Sequence, residues 1–339
     1  MKKGIALVLA LMLALGALAG CGGAVGEPAG GSSGTAGSGS EGEAAKAVKI
    51  GVLQFVGHPA LDAAYEGFKA ALAEAGYVEG DNVTFDYQNA QGDMGNCSTM
   101  ASTLVNGGCD LILAIATPAA QAVASATEER QEIPVLVTAV TDPEDAGLVE
   151  SNEMPGRNIT GTSDLTPVKQ QMELLTQLVP EAKTIGFLYS SNEVNSEFQI
   201  KMAREAAEGL GLAYEEFTVS NSNEVQLVAQ SMLGKVDAVY SPTDNIIAQT
   251  VSTVAQICID GKLPFIVGEV SMVEQGGLAS YSVDYLLLGR ITGEQAVEIL
   301  KNGAKPAEMP IRYQEEYELV INEDTAAALE IEIPEELLA

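Results

Sequence analysis

Short apolar runs bounded by turn formers alternate along this chain with longer stretches in which apolar positions recur every three or four residues. The short runs predict strands and the long ones amphipathic helices. Lys49-Ile50-Gly51-Val52-Leu53 opens the series, and residues 63–75 follow with Ala64, Phe68, Ala71, Leu72 and Ala75 on one stripe. Residues 111–116 are apolar throughout, as a strand covered on both faces should be. The order then repeats. Lys183-Thr184-Ile185-Gly186-Phe187 begins a second series, and residues 195–210 place Ile200, Ala203, Ala207 and Leu210 on one face. Gly76 and Gly211 suit the left-handed residue that closes a helix. Cys109-Asp110-Leu111-Ile112-Leu113 corresponds to Val236-Asp237-Ala238-Val239-Tyr240, and Ile133-Pro134-Val135-Leu136-Val137 to Leu263-Pro264-Phe265-Ile266-Val267. The offset between copies drifts only between about 127 and 135 residues.

The pattern therefore predicts one α/β unit used twice, in residues 47–140 and 183–270, with a parallel sheet in each copy. After the second copy come a short strand at 278–282, a helix at 285–300 and a strand at 317–321. Part of this tail must return to the first lobe, so several crossover strands form a hinge. The expected division is residues 47–162 plus about 284–305 in lobe one, and residues 163–283 plus about 306–339 in lobe two. The fold class is thus α/β, two Rossmann-like lobes with parallel sheets. Two such lobes enclose a cleft, which is where small ligands bind.

The N-terminus changes the picture of where the chain works. Residues 1–20 have the form of a lipoprotein signal peptide: Lys2 and Lys3, an apolar run of about fourteen residues, then Leu18-Ala19-Gly20-Cys21, which resembles a bacterial lipobox. A membrane span needs roughly 20 apolar residues. The expectation is lipid attachment, such as palmitate, at Cys21. Residues 21–46 are mostly Gly, Ser, Ala and Glu and predict a flexible tether. The lobes would then sit on the extracytoplasmic face of the cell membrane, held by lipid alone.

The formal charge is −30, and near −32 once residues 1–20 and their two lysines are removed. That repels phosphate backbones and argues against nucleic acid as a partner. Cys97 and Cys109 bracket a predicted helix of about ten residues, some 15 Å long, whereas a disulfide needs Cα atoms within about 7 Å. Cys258 lies in the other copy. Free, buried thiols are expected, with no zinc-like spacing and no metal or cofactor. No G-x-x-x-x-G-K-[ST] phosphate loop occurs, no G-x-G-x-x-G follows a predicted strand, and no G-x-S-x-G stands at a strand-to-helix turn. His58 is the only histidine. These points weigh against an enzyme.

His58-Pro59-Ala60-Leu61-Asp62, residues 114–121 (Ala-Ile-Ala-Thr-Pro-Ala-Ala-Gln), Thr141-Asp142-Pro143, Asn158-Ile159-Thr160-Gly161, Ser241-Pro242-Thr243-Asp244-Asn245 and Val283-Asp284-Tyr285 together resemble one family. It is the ABC-transporter substrate-binding lipoproteins of the tryptophan/tyrosine-binding type, with a type I periplasmic-binding-protein fold. The resemblance runs from about residue 47 to the C-terminus. It implies a monomeric receptor that closes over a small amino-acid ligand, aromatic by preference, and delivers it to an ABC permease driven by a separate ATPase. A sensor that presents ligand to a membrane receptor is the alternative, and an exported α/β enzyme a further one.

Ligands of doubly wound sheets sit beyond the carboxyl ends of the strands. Thr117, at the start of a helix, suits a ligand carboxylate or serves as an N-cap. Asp244, its counterpart in copy two, is either a counter-ion for a ligand ammonium or a cap. Asp142 lines the cleft or forms an Asp-Pro turn. Asn192, Asn195 and Ser196 offer amides and a hydroxyl from lobe two, and His58 answers them from lobe one or caps its own helix. Glu269 and Tyr281 follow strands that should end at the cleft, and Tyr189, Tyr240 and Phe55 are further candidates for stacking. Ser163, Asp164 and Asp284 fall at crossovers and suit a hinge role.

Overall fold

A computed structural model describes residues 47–338. The signal peptide, Cys21 and the tether lie outside the described residues. Among those described, no helix is long and apolar enough to cross a membrane.

The first lobe begins with β1 (Val48–Gln54), α1 (Pro59–Glu74), β2 (Val83–Asn89), α2 (Met94–Asn106), β3 (Leu111–Ile115), α3 (Thr117–Ala126), β4 (Val135–Val140) and β5 (Ile159–Ser163). Its five strands lie in the order β2-β1-β3-β4-β5, all parallel. Every residue of β3 is buried, as its unbroken apolar run requires. The helix predicted over 63–75 starts earlier, because Pro59 at the first helical position fixes a helical φ and gives up an N–H that would have had no partner.

The second lobe holds α4 (Val168–Leu178), β6 (Thr184–Ser190), α5 (Val194–Leu210), β7 (Ala213–Val219), α6 (Ser222–Met232), β8 (Ala238–Ser241), α7 (Asn245–Asp260), β9 (Phe265–Val267), α8 (Val270–Glu274) and β10 (Ala279–Ser282). After α9 (Tyr285–Asn302) the chain adds β11 (Glu318–Ile321) and α10 (Glu323–Leu329). The sheet order is β11-β10-β9-β8-β6-β7. The parallel expectation fails at one edge: β11 runs antiparallel to β10, with Ser282 opposite Glu318. The reason is the route. β10 leaves the lobe at the cleft, the chain re-enters there, and the returning strand must run away from it.

Helix α9 shows why the chain makes that detour. It lies on α1 so closely that a Cβ at Gly289 would overlap the Ala64 carbonyl, and one at Gly67 the Leu286 carbonyl. Glycine at the crossing lets the backbones meet, and Phe68, Leu72, Leu288 and Ala296 are buried around it. Each fully buried large side chain contributes about 1.5–3 kcal/mol. The chain also stays with the first lobe longer than the expected limit of about 305. Thr160 Oγ1 donates to the Met309 carbonyl (2.7 Å), Ile311 N to the Asn152 carbonyl (2.8 Å) and Arg312 N to the Gly161 carbonyl (2.9 Å). Three segments therefore cross between lobes, after Ser163, after Ser282 and after Arg312. They are tied to one another: Ser163 N donates to the Arg312 carbonyl (2.9 Å) and Asp284 N to Gln314 Oε1 (2.7 Å). Cys97, Cys109 and Cys258 are free and buried, as the spacing argument required.

Candidate ligand-binding cleft

The carboxyl ends of both sheets face each other around a cavity of about 10 Å³, room for roughly one water. Its first-lobe wall includes His58 after β1 and Thr141 after β4, and its second-lobe wall Asn195, Asp244, Asn245 and Glu269. Asp164 and Tyr285, from two crossing segments, complete it. Residue Ala139, also on the wall, has φ +54° where the pairing of β4 with β5 shifts register. A non-glycine residue held there stores strain, a common feature of binding sites.

Polar groups join the lobes at this wall. His58 Nε2 lies 3.4 Å from Asn245 Oδ1, and Thr141 Oγ1 lies 3.5 Å from Thr243 Oγ1. Gln199 Nε2 donates to Thr243 Oγ1 at 2.7 Å and reaches Thr141 Oγ1 at 3.4 Å. Behind Asn245 stands Glu193, which no sequence signal singled out although its neighbours Asn192 and Asn195 were. Its carboxylate accepts from Asn245 Nδ2, from Asn245 N (3.3 Å), from Ile246 N (3.2 Å) and from Asn195 Nδ2 (3.2 Å).

Three acids, Asp164, Asp244 and Glu269, line the cavity with Glu193 behind them, and no lysine or arginine is among the lining residues. Burial raises each above its ordinary range: Glu269 to about 7 and Asp164 to about 6. Burial also raises Glu193, with the charge of Asp244 as a second cause, and raises Asp244. His58 moves the other way, down to about 4, because burial disfavours its cation.

The sequence-derived candidates divide on this geometry. His58, Asn195, Asp244 and Glu269 line the cavity; Thr117, Asp142, Asn192, Ser196 and Tyr281 do not. Thr117 is buried one residue past the cap position, which Ala116 occupies with φ +79°. Asp142 Oδ1 accepts from Glu144 N, Asp145 N and Asn152 Nδ2, which makes it the turn former. Asn192 is exposed and donates to the Ser220 carbonyl within its own lobe. Ser196 donates its hydroxyl to Asp244 Oδ2 at 2.7 Å. Tyr281 is half-buried against the apolar cluster of the second lobe.

Asp244 does line the cavity, yet its oxygens are engaged. Oδ1 caps Ile247 N (2.9 Å), and Oδ2 accepts from Ser190 N (2.6 Å) as well as from Ser196. Glu269 likewise caps Ser271, through N (2.6 Å) and Oγ (2.7 Å). His58 stands at the cap position of α1 but makes no capping bond. The expected stacking residues are committed to the cores: Tyr240 donates to Gln171 Oε1 and Tyr189 to Glu216 Oε2, both at 2.7–2.8 Å, and Phe55 is buried. Tyr285 is the aromatic side chain on the cavity wall. It was legible only as part of Val283-Asp284-Tyr285, and Asp164 only as a hinge residue. Asp284 is exposed and caps α9 through Leu287 N (3.1 Å), and Ser163 Oγ donates to the Thr141 carbonyl (2.7 Å).

Residues 49–339 match the family described as ABC transporter substrate binding protein. A tyrosine-binding protein of Clostridioides difficile (strain R20291) is 40% identical over 331 residues, 98% of this chain and 93% of that protein. An ABC domain from Streptococcus pneumonia, solved in complex with L-Trp, is 45% identical and superposes with a TM-score of 0.83 over 86% of this chain and 98% of that one. The ligand-free, open structure of a substrate binding protein with adhesive properties from Clostridium difficile is 43% identical, yet its TM-score is 0.64 over 85% of this chain and 96% of that one. Identity is nearly the same in the two solved relatives, so sequence divergence does not account for the gap. The lobes of this chain are arranged more as in the L-Trp complex than as in the open form.

Proposed function

The chain belongs to the ABC transporter substrate-binding protein family, and from that premise we propose that it captures an aromatic amino acid between its lobes and delivers it to a membrane permease. In this reading the protein works as a monomer on the extracytoplasmic face, anchored through Cys21, and a separate ATPase drives the import. One observation carries the reading: a polar cavity, enclosed at the carboxyl ends of both sheets, whose wall is drawn from both lobes and two crossings. A cavity of about 10 Å³ admits no amino acid while the lobes stay together. Capture therefore requires them to part and then close over the ligand, and the tyrosine-binding relative and the L-Trp complex support an aromatic amino acid as the ligand class.

Several features support the role of the cleft. The side-chain hydrogen bonds that join the two walls are few and at the long end of the range, between 3.4 and 3.5 Å, so opening costs little in hydrogen bonding. With no lysine or arginine on the wall, the ligand carboxylate is left to neutral donors, of which the Thr141 and Thr243 hydroxyls face each other across the lobes. The test is thermal unfolding of purified protein, stripped of co-purified ligand, against an amino-acid panel. A ligand at about 100 times its Kd should add roughly 2.7 kcal/mol. L-Trp, L-Tyr or L-Phe should give the largest shift, and no shift with any amino acid would sink the proposal.

A further inference from the structure

Three buried atoms on the cavity wall have no hydrogen-bond partner: His58 Nδ1, Asp164 Oδ1 and Asn195 Oδ1. The three residues are 7%, 3% and 5% exposed. Buried polar atoms are nearly always paired, so three orphans around one small cavity call for a shared partner.

All three are acceptors. Asp164 and Asn195 present oxygens. For His58 the answer follows along a chain of bonds. Glu193 accepts from Asn245 Nδ2, which turns Asn245 Oδ1 toward His58 Nε2. An amide oxygen accepts only, so Nε2 carries the proton. Burial keeps the ring neutral, its pKa near 4, and Nδ1 is then a bare lone pair. Asp164 still has this oxygen to offer because Tyr285 donates to the other, Oδ2, at 2.7 Å. Asp244 and Glu269 spend both of theirs on backbone and serine donors.

We propose that the cavity seats a primary ammonium group, whose three N–H bonds go to Asp164 Oδ1, Asn195 Oδ1 and His58 Nδ1. The seat is at the hinge, and Asp244 serves the fold rather than the ligand. This deepens the amino-acid reading above and rests on it. An anion is excluded by the same geometry, since it would meet three acceptors and a wall of acids with no lysine or arginine. The surrounding carboxyl groups of Glu269, Asp244 and Glu193 add a negative field that favours a cation. One seat then draws on both lobes and a crossing: His58 comes from lobe one, Asn195 from lobe two and Asp164 from the crossing segment that follows β5.

Isothermal titration with L-tryptophan, its des-amino counterpart indole-3-propionic acid, and tryptamine tests this. Wild-type protein should bind the des-amino acid about 10- to 100-fold more weakly than L-tryptophan, the range for a charge-assisted bond. Asp164→Asn should weaken L-tryptophan by a similar factor and leave indole-3-propionic acid near its wild-type affinity, so that the two losses do not add. Tryptamine, which keeps the amine, should also lose affinity in the variant. Equal affinity for L-tryptophan and the des-amino acid overturns the ammonium seat while leaving the amino-acid reading intact. So does an Asp164→Asn variant that binds L-tryptophan like wild type, or one that loses both ligands equally. If wild type binds neither L-tryptophan nor any other amino acid, both readings fall together. The analogue comparison on wild type decides the matter even if Asp164→Asn does not fold.

Discussion

Tyr285 donates its hydroxyl to Asp164 Oδ2 at 2.7 Å, and that one bond joins the segment by which the chain first leaves lobe one to the segment by which it returns. Both residues are buried, so the bond belongs to the hinge and to the cavity wall at once. Replacing Tyr285 with Phe removes a donor from a buried carboxylate, which costs about 1–3 kcal/mol. Asp164 already holds its proton up to about pH 6 because of burial, and losing the Tyr285 hydroxyl, which opposes that rise, moves it further up. The penalty is therefore largest where Asp164 is ionised. Urea unfolding at pH 8 should show the full loss and at pH 5 a smaller one; equal losses at the two pH values would contradict this account.

Glu269 supplies a second pH dependence. Its folded pKa, about 7, lies above the ordinary value of 4.5 because the group is buried. The folded state binds that proton more tightly than the unfolded chain, so the stabilisation is complete below about pH 4.5 and is lost as pH rises through 7. Glu269→Gln is neutral throughout and still offers an oxygen to Ser271 N. It should be more stable than wild type at pH 8, by about 1–3 kcal/mol, with little difference near pH 4.5. His58, whose folded pKa is depressed to about 4, gives the opposite trend between roughly pH 6.5 and 4, and the same histidine is present in both proteins. The difference between their melting curves thus isolates Glu269, and a difference that does not grow with pH would refute the assignment.

Asn245 stands between Glu193 in its own lobe and His58 in the other. Asn245→Ala deletes the bridge. At about 0.5–1.5 kcal/mol for a net hydrogen bond, the open population should rise roughly 2- to 10-fold. Small-angle scattering of the unliganded variant should then report a larger radius of gyration than wild type, and an unchanged radius would remove Asn245 from the closure.

Asp244 is expected to behave as a structural residue. Asp244→Ala strips the cap from α7 and leaves Ser190 N and the Ser196 hydroxyl without their acceptor. A lost cap costs about 0.5–2 kcal/mol and a stranded buried donor about 1–3. A total loss of at least about 2 kcal/mol should appear in chemical denaturation, and wild-type stability in this variant would be inconsistent with the bonds described.

Gly289 offers a test with an inverted sign. In a helix interior, glycine to alanine ordinarily gains up to about 1 kcal/mol. Here the new Cβ overlaps the Ala64 carbonyl oxygen, so α9 must lift from α1. Gly289→Ala should lose about 1–3 kcal/mol of unfolding free energy, and a gain would mean that the two helices are less closely opposed.

The strands and helices were legible because their periods are local. The unbroken run in β3 and the stripe of Phe68 and Leu72 each announce an element without reference to anything distant. Pairing is not local, which is why a strand was legible at 317–321 but its antiparallel direction was not. The cleft was partly legible for the same reason that strand ends are: His58, Asn195, Asp244 and Glu269 follow predicted strands and stand on the wall. How an acid spends its hydrogen bonds is invisible in one dimension. Asp244 and Asp164 are both aspartates at strand ends, yet one is occupied by Ser190, Ser196 and Ile247 and the other keeps an oxygen unpaired. The Ile247 cap is local and was among the readings of Asp244, but the bonds from Ser190 and Ser196, about 50 positions away, and from Tyr285, about 120 positions from Asp164, had no sequence signature.

The insertion of α9 between β10 and β11 bears on biosynthesis. The first lobe lacks its cover over α1 until residues 285–302 have been made, and the second sheet lacks its edge until residues 318–321 follow. Neither lobe is encoded as one uninterrupted stretch, so a chain threading outward from its N-terminus reaches the far end still unfinished in both halves.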